Sequence, residues 1–125
     1  MEKKIFVIDD DPLALQMIVA ALEAEGHSVQ GFSEFASLQR EIERSLPDLV
    51  MTDVVMPKIS GFEICRRIKE IRPHPPWVVV MTGKLDAVDP IQARRMGADD
   101  FVVKTSDMAV LVKAVGTILS KGSPT

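Results

Sequence analysis

Acidic residues follow the first apolar run of the chain, in the stretch "IFVIDDDP". Its three consecutive acids are Asp9, Asp10 and Asp11. Adjacent carboxylates repel one another, so a cation, a set of hydrogen-bond donors or open solvent must compensate their charge. Three further polar residues end later apolar runs: Asp53, Thr82 and Lys104. Carboxylates, a hydroxyl and an ammonium in one crevice would suit a hard divalent cation such as Mg²⁺.

The elements that must position these residues form an alternating pattern, in which short apolar runs are separated by stretches of helical period. This pattern is typical of βα units around a parallel sheet. Strands are predicted at residues 5–8, 29–32, 49–52, 77–81 and 101–103. Helices are predicted at residues 12–25, 35–45, 61–71, 90–96 and 107–120. Because ligands of an open α/β sheet bind outside the carboxyl ends of its strands, we expect the polar residues to converge at that edge.

Length and composition limit the class of protein. The chain has 125 residues, of which 46% are apolar and 26% charged, as in one globular domain. Its net charge of -3 disfavours direct nucleic-acid binding. A single cysteine excludes an internal disulfide, and no long apolar stretch opens the chain, so we expect a cytoplasmic protein without a membrane anchor. We expect one domain over residues 1–121, with residues 122–125 as a tail or the start of a linker.

Five short motifs occur in order along this pattern. They are "DD" after the first strand, "TDVVMP" and "SGFE" after the third, "MTG" after the fourth and "GADDFVVK" into the fifth. With them the chain resembles the response regulator receiver domains of two-component signalling over essentially its whole length. The resemblance implies a flavodoxin-like (βα)5 fold, a three-layer α/β sandwich whose parallel five-stranded sheet has the order 2-1-3-4-5.

The resemblance also implies an acceptor and a metal site. Asp53 would accept a phosphoryl group from a phosphohistidine of a sensor histidine kinase or a histidine phosphotransfer protein. Mg²⁺ would be held by Asp9, Asp10, Asp53 and the backbone carbonyl of Val55. The domain would be a signalling element that catalyses its own phosphorylation and dephosphorylation, and would not be an enzyme acting on a separate substrate.

Further residues receive roles from the same resemblance. Lys104 and Thr82 would contact the phosphoryl oxygens, and Thr82 with Phe101 would form the switch that changes the surface for an output domain or a downstream protein. Val55 and Lys84 would tune dephosphorylation, and the apolar Val55 predicts slow hydrolysis because it cannot orient a water molecule.

Partner docking is predicted on the first helix. Leu15 and Val19, with Leu13 nearby, lie off the predicted core stripe of Ala14, Met17, Ile18, Ala21 and Leu22. We therefore expect them to face solvent as an apolar docking patch, against the alternative of scattered surface residues.

The chain departs from the family pattern at two places. Thr105 follows the lysine where most receivers have proline, and we predict a trans Lys104–Thr105 bond because a cis bond before a non-proline residue costs about 2.5–4 kcal/mol. Pro90 falls where the fourth helix of many receivers is already under way. We expect it to begin a shortened helix capped by Asp89, after a long loop over residues 83–88.

Other functions stay open on the sequence. The acids after the first strand could be a capping cluster, and Asp11 is predicted to be mainly a cap. A phosphatase of the haloacid dehalogenase type would need an acid where Val55 stands. A nucleotide-binding switch is disfavoured because "TGKL" lacks the earlier glycine of a P-loop and ends in Leu85. A degenerate receiver that serves only as a protein-interaction module is the remaining alternative.

Overall fold

Five parallel strands form the centre of the structure, a computed structural model that describes residues 2–83, 90–105 and 107–122. The strands are β1 (Lys4–Ile8), β2 (Ser28–Phe32), β3 (Leu49–Asp53), β4 (Trp77–Thr82) and β5 (Asp100–Val103). Neighbouring strands pair in parallel, in the order β2-β1-β3-β4-β5. Every residue of β3 is buried, as expected for a central strand, and its first three residues are apolar. The predicted sheet and strand order are confirmed.

Helices connect the strands and begin close to the predicted residues. They are α1 (Pro12–Ala24), α2 (Phe35–Arg44), α3 (Gly61–Lys69), α4 (Pro90–Arg95) and α5 (Met108–Leu119). Asp11 caps α1 by accepting a hydrogen bond from the backbone N–H of Leu13 at 3.1 Å, so its predicted role as a cap is confirmed. Asp107 caps α5 in the same way. No helix in the described part of the chain is long and apolar enough to cross a membrane.

Four of the helices lie in two layers, two on each face of the sheet. One buried cluster joins α1 and α5 to the sheet through Ile18, Leu22, Leu111, Val115 and Ile118. The other joins α2 and α3 to the opposite face through Leu38, Ile64, Cys65 and Ile68. The chain therefore forms the predicted three-layer α/β sandwich.

The prediction that Leu15 and Val19 face solvent is wrong. Both side chains are half-buried, and Leu15 packs against the core. The reason lies in β2, where Gly31 has no side chain: a Cβ there would be 3.1 Å from Leu15 Cδ1 and 3.3 Å from Val19 Cγ2. Because Gly31 leaves space on β2, Leu15 and Val19 of α1 can pack against the sheet. Met17, predicted as core, is 36% exposed instead.

The fourth helix begins at Pro90, as predicted, and is only 6 residues long. Proline is tolerated in a first helical turn because its missing N–H would have no partner within the helix. The predicted cap Asp89 and most of the preceding loop lie outside the described residues.

Candidate functional site

Three carboxylates meet at the carboxyl edge of the sheet. Ile8 pairs with Thr52, so the residues that end β1 and β3 are neighbours across the sheet. Asp9 and Asp53 are buried there, while Asp10 is exposed. Asp9, Asp10 and Asp53 each place a carboxylate oxygen within 4.8 Å of the others. This oxygen donor set fits a hard divalent cation with an open side toward solvent.

Backbone contacts fix the orientation of Asp9. Its N–H donates to the carbonyl of Phe32 at 3.0 Å, which ties the end of β1 to β2. Its Oδ1 accepts from the N–H of Asp11 at 3.0 Å. The three acids after β1 therefore do not all serve as a helix cap. Asp11 caps α1, while the second carboxylate oxygen of Asp9 points toward Lys104 at the end of β5.

Lys104 supplies the positive charge of the site. Its N–H donates to the carbonyl of Thr82, so the end of β5 is held against the end of β4. Its Nζ donates to Asp9 Oδ2 at 2.8 Å and to Asp53 Oδ2 at 3.0 Å. The cis peptide bonds of the described residues comprise Arg72–Pro73 alone, so the Lys104–Thr105 bond is trans, as predicted. The absent proline does not prevent the ammonium from reaching both carboxylates.

Burial and neighbouring charge shift the pKa values of Asp53 and Lys104 in opposite directions. Burial raises the pKa of the Asp53 carboxyl above its ordinary value, and the hydrogen bond and charge of Lys104 offset this only in part. Burial by itself would lower the pKa of the Lys104 ammonium, but its hydrogen bonds to Asp9 and Asp53 outweigh that effect and raise the pKa. Lys104 therefore remains a cation next to a carboxylate whose charge is incompletely compensated.

The other predicted site residues differ in their exposure to solvent. Thr82 is 4% exposed at the end of β4, and Phe101 lies half-buried in β5, where it packs against the cluster shared by α2 and α3. Val55 is 76% exposed in the loop after β3. Lys84 lies outside the described residues.

Two features of the site region were not predicted. Leu13 and Met17, the exposed apolar residues of α1, line a cavity of about 250 Å³ together with Lys104 and Thr105. The first residue of α3, Gly61, lies against the backbone of Asp53. The motif "SGFE" predicts the helix start but gives no sign of this contact, because it joins residues across a loop.

Comparison with known proteins agrees with the fold. The family model described as response regulator receiver domain matches residues 5–116. Regulatory protein VanRc of Enterococcus gallinarum is 34% identical over 121 residues, covering 97% of this chain and 52% of that protein. Protein PilH of Pseudomonas aeruginosa is 30% identical over 121 residues, covering 94% of this chain and 98% of PilH. The chain thus spans about half the length of VanRc and nearly all of PilH.

A solved structure shows the same fold. The BeF3-activated receiver domain of DrrB, a response regulator of Thermotoga maritima, superposes with a TM-score of 0.80 at 32% identity. The match covers 96% of this chain and 99% of that domain. With the family model matching most of its length, this chain belongs to the response regulator receiver domain family.

Proposed function

We propose that this domain, over residues 1–121, is a phosphoacceptor switch that takes a phosphoryl group onto Asp53 in the presence of Mg²⁺. The single observation that carries the proposal is the Lys104 ammonium, which contacts both Asp9 and Asp53 beside a cluster of three carboxylates. A capping cluster would not need a half-buried lysine from a strand so distant in the chain. A degenerate receiver that only binds other proteins would not need the three carboxylates together with this lysine.

The acceptor chemistry follows from the residues. An Asp53 carboxylate oxygen attacks phosphorus, the bond from phosphorus to the imidazole nitrogen of a phosphohistidine breaks, and its electron pair stays on that nitrogen. Asp9, Asp10, Asp53 and the backbone carbonyl of Val55 would hold Mg²⁺, which would supply positive charge to offset the repulsion between carboxylate and phosphoryl oxygens. Lys104 adds opposing charge through hydrogen bonds, and the Thr82 hydroxyl offers a donor to the product.

The switch and the lifetime of the product are assigned to neighbouring residues. Movement of Thr82 toward the new phosphoryl oxygens would vacate space that the half-buried Phe101 ring can enter. The exposed apolar side chain of Val55 offers no group to orient an attacking water, so hydrolysis is slow, and Lys84 is the second tuning residue.

The proposed donor is a sensor histidine kinase or a histidine phosphotransfer protein. Since Leu15 and Val19 face the sheet, the docking surface on α1 is assigned instead to Leu13 and Met17, which are exposed beside Lys104. The output is a further domain of the same protein or a separate downstream protein, with residues 122–125 as the start of a linker in the first case.

Intact-protein mass spectrometry tests the proposal. The domain is incubated with acetyl phosphate and Mg²⁺, and wild type is compared with Asp53→Ala and with Glu43→Ala, which removes an exposed acid of α2. We expect one phosphoryl adduct in wild type and Glu43→Ala, none in Asp53→Ala and none in EDTA. No adduct in wild type with any small phosphodonor would overturn the proposal and favour the degenerate interaction module.

A further inference from the structure

Three hydrogen bonds hold the backbone of Asp53 and of the next residue, Val54. Its carbonyl accepts from the Thr52 hydroxyl at 3.0 Å. The next N–H along the chain, that of Val54, donates to the carbonyl of Met81 at 2.8 Å, which continues the pairing of β3 with β4. The carbonyl of Val54 accepts from the N–H of Gly61 at 2.8 Å, so the loop after β3 closes on itself at the start of α3.

Gly61 occupies a position that has no room for a side chain. A Cβ there would overlap the carbonyl oxygen of Asp53, and it would lie 2.8 Å from both the Asp53 carbonyl carbon and the Val54 Cα. All three atoms belong to the backbone, so no side chain can rotate away to make space. The φ angle of Gly61 is not positive, which means that close approach, and not an unusual backbone conformation, requires the glycine.

The helix start is fixed independently of this contact. Ser60 caps α3 by accepting from the N–H of Glu63 at 3.1 Å, which sets where the helix begins. This cap holds the first turn of α3 in place, so an atom added at Gly61 must displace either the helix or the end of β3. A displacement of the strand end would move the Asp53 carboxylate and the Val55 backbone.

We propose that Gly61 is a positioning residue of the acceptor site: its bare Cα lets α3 seat against the Asp53 carbonyl and fixes the carboxylate for Mg²⁺ and phosphoryl binding. The inference rests on the proposed function, because it assigns to Gly61 the geometry that the function needs. Errors of about 1 Å in a reacting group are enough to cost large factors in rate.

Three substitutions separate positioning from stability. Gly61→Ala adds one methyl group against Asp53, and Ser60→Ala removes the neighbouring cap without adding an atom there. Gly116→Ala makes the same glycine-to-alanine change in α5, where a Cβ would meet no atom within 4 Å. Each variant is measured for Mg²⁺ affinity by isothermal titration calorimetry and for its midpoint of chemical unfolding.

We expect Gly61→Ala to bind Mg²⁺ at least about tenfold more weakly than wild type. The reason is that Mg²⁺ affinity depends on the exact positions of its ligand oxygens, which the added methyl group would shift. We expect Ser60→Ala and Gly116→Ala to stay within about twofold of wild type, even though Ser60→Ala lowers the unfolding midpoint. Equal Mg²⁺ affinity in Gly61→Ala and wild type, or an equal loss in Ser60→Ala, would overturn the positioning role. A wild type that binds no Mg²⁺ would instead overturn the proposed function, and the inference with it.

If Gly61→Ala does not fold, hydrogen exchange in the wild type decides. The Gly61 amide, bonded to the Val54 carbonyl, should exchange at least about fivefold more slowly with saturating Mg²⁺, since the ion and this contact hold the same strand end. The Gly116 amide in the middle of α5 serves as the internal control and should not respond. Unchanged exchange at Gly61 would overturn the inference.

Discussion

The Nζ atom of Lys104 lies 3.0 Å from Oδ2 of Asp53. The two residues are 51 positions apart in the chain and come from the ends of β5 and β3, with β4 between those strands. The same ammonium contacts Asp9 at 2.8 Å, so a single cation links the buried carboxylates. In the proposed function this cation is an ion-pair partner before phosphorylation and a phosphoryl ligand after it, which leads to the first prediction.

Replacing Lys104 by glutamine should separate ion binding from phosphoryl transfer. Removal of the ammonium leaves two uncompensated carboxylates, so Mg²⁺ should bind several-fold more tightly by calorimetry. Phosphorylation by acetyl phosphate should become at least about tenfold slower, because a donor to the transferred oxygens is lost. Lys69→Gln is the matched control, since Lys69 forms a comparable ion pair with Asp99 at 2.8 Å outside the site. Weaker Mg²⁺ binding in Lys104→Gln would contradict this role.

Replacing Asp53 by asparagine should stabilise the fold at pH 7 without Mg²⁺. Burial raises the pKa of Asp53, so the native state holds its proton more tightly than the unfolded state does. The corresponding stability is present below the unfolded value of 3.8 and is lost as the pH rises through the folded value. Asparagine does not ionise and escapes this loss, while Lys104 keeps Asp9 as its partner.

Urea unfolding with and without Mg²⁺ tests this prediction. The difference between the variant and the wild type should shrink as the pH falls toward 3.8. Mg²⁺ at about a hundred times its Kd should add about 2.7 kcal/mol to the unfolding free energy of wild type and much less to that of the variant. A wild type that is the more stable protein at pH 7 without Mg²⁺ would refute the prediction.

Changing Val55 to asparagine should shorten the life of the phosphorylated protein. The valine side chain is 76% exposed and cannot hydrogen-bond a water molecule, whereas a carboxamide can. One net hydrogen bond of about 1 kcal/mol corresponds to about a fivefold faster hydrolysis. Loss of the adduct is followed by intact mass, with Val110→Asn, an exposed valine of α5, as the control. An unchanged or longer lifetime in Val55→Asn would count against this assignment.

Much of this site could be predicted because parallel strands bring their carboxyl ends to one edge. The strand assignments alone were enough to predict that Asp9, Asp53 and Lys104 lie close together. The face that α1 presents could not be predicted in this way, because Leu15 and Val19 turn inward only where the opposing strand carries Gly31. The contact between Gly61 and Asp53 depends likewise on the path of a loop, which no periodic pattern encodes.

The Cys65 thiol should be inert in the native protein. It is fully buried, it donates to the carbonyl of Met96, and burial raises its pKa to about 12. At pH 8 only about one thiol in ten thousand is then ionised, and the corresponding stability is lost progressively as the pH rises from the ordinary value of 9.0 toward about 12.

Labelling with a chromogenic disulfide reagent measures this inertness. Native protein at pH 8 should react at least about a hundredfold more slowly than protein unfolded in guanidinium. A Val110→Cys, Cys65→Ala variant, with its thiol on the exposed face of α5, should react rapidly while folded. Fast labelling of native wild type would show that the core around α3 opens.

Borohydride trapping tests the central claim, that Asp53 is the phosphoacceptor, most directly. Reduction of an aspartyl phosphate yields homoserine, and tryptic peptide 45–58 contains both Asp53 and Asp48, while Asp9, Asp10 and Asp11 fall in peptide 5–40. After treatment with acetyl phosphate and Mg²⁺, fragmentation should place homoserine at position 53 and leave the other four acids unchanged. Homoserine at any of those four, or at none of the five under conditions that phosphorylate the protein, would contradict the assignment.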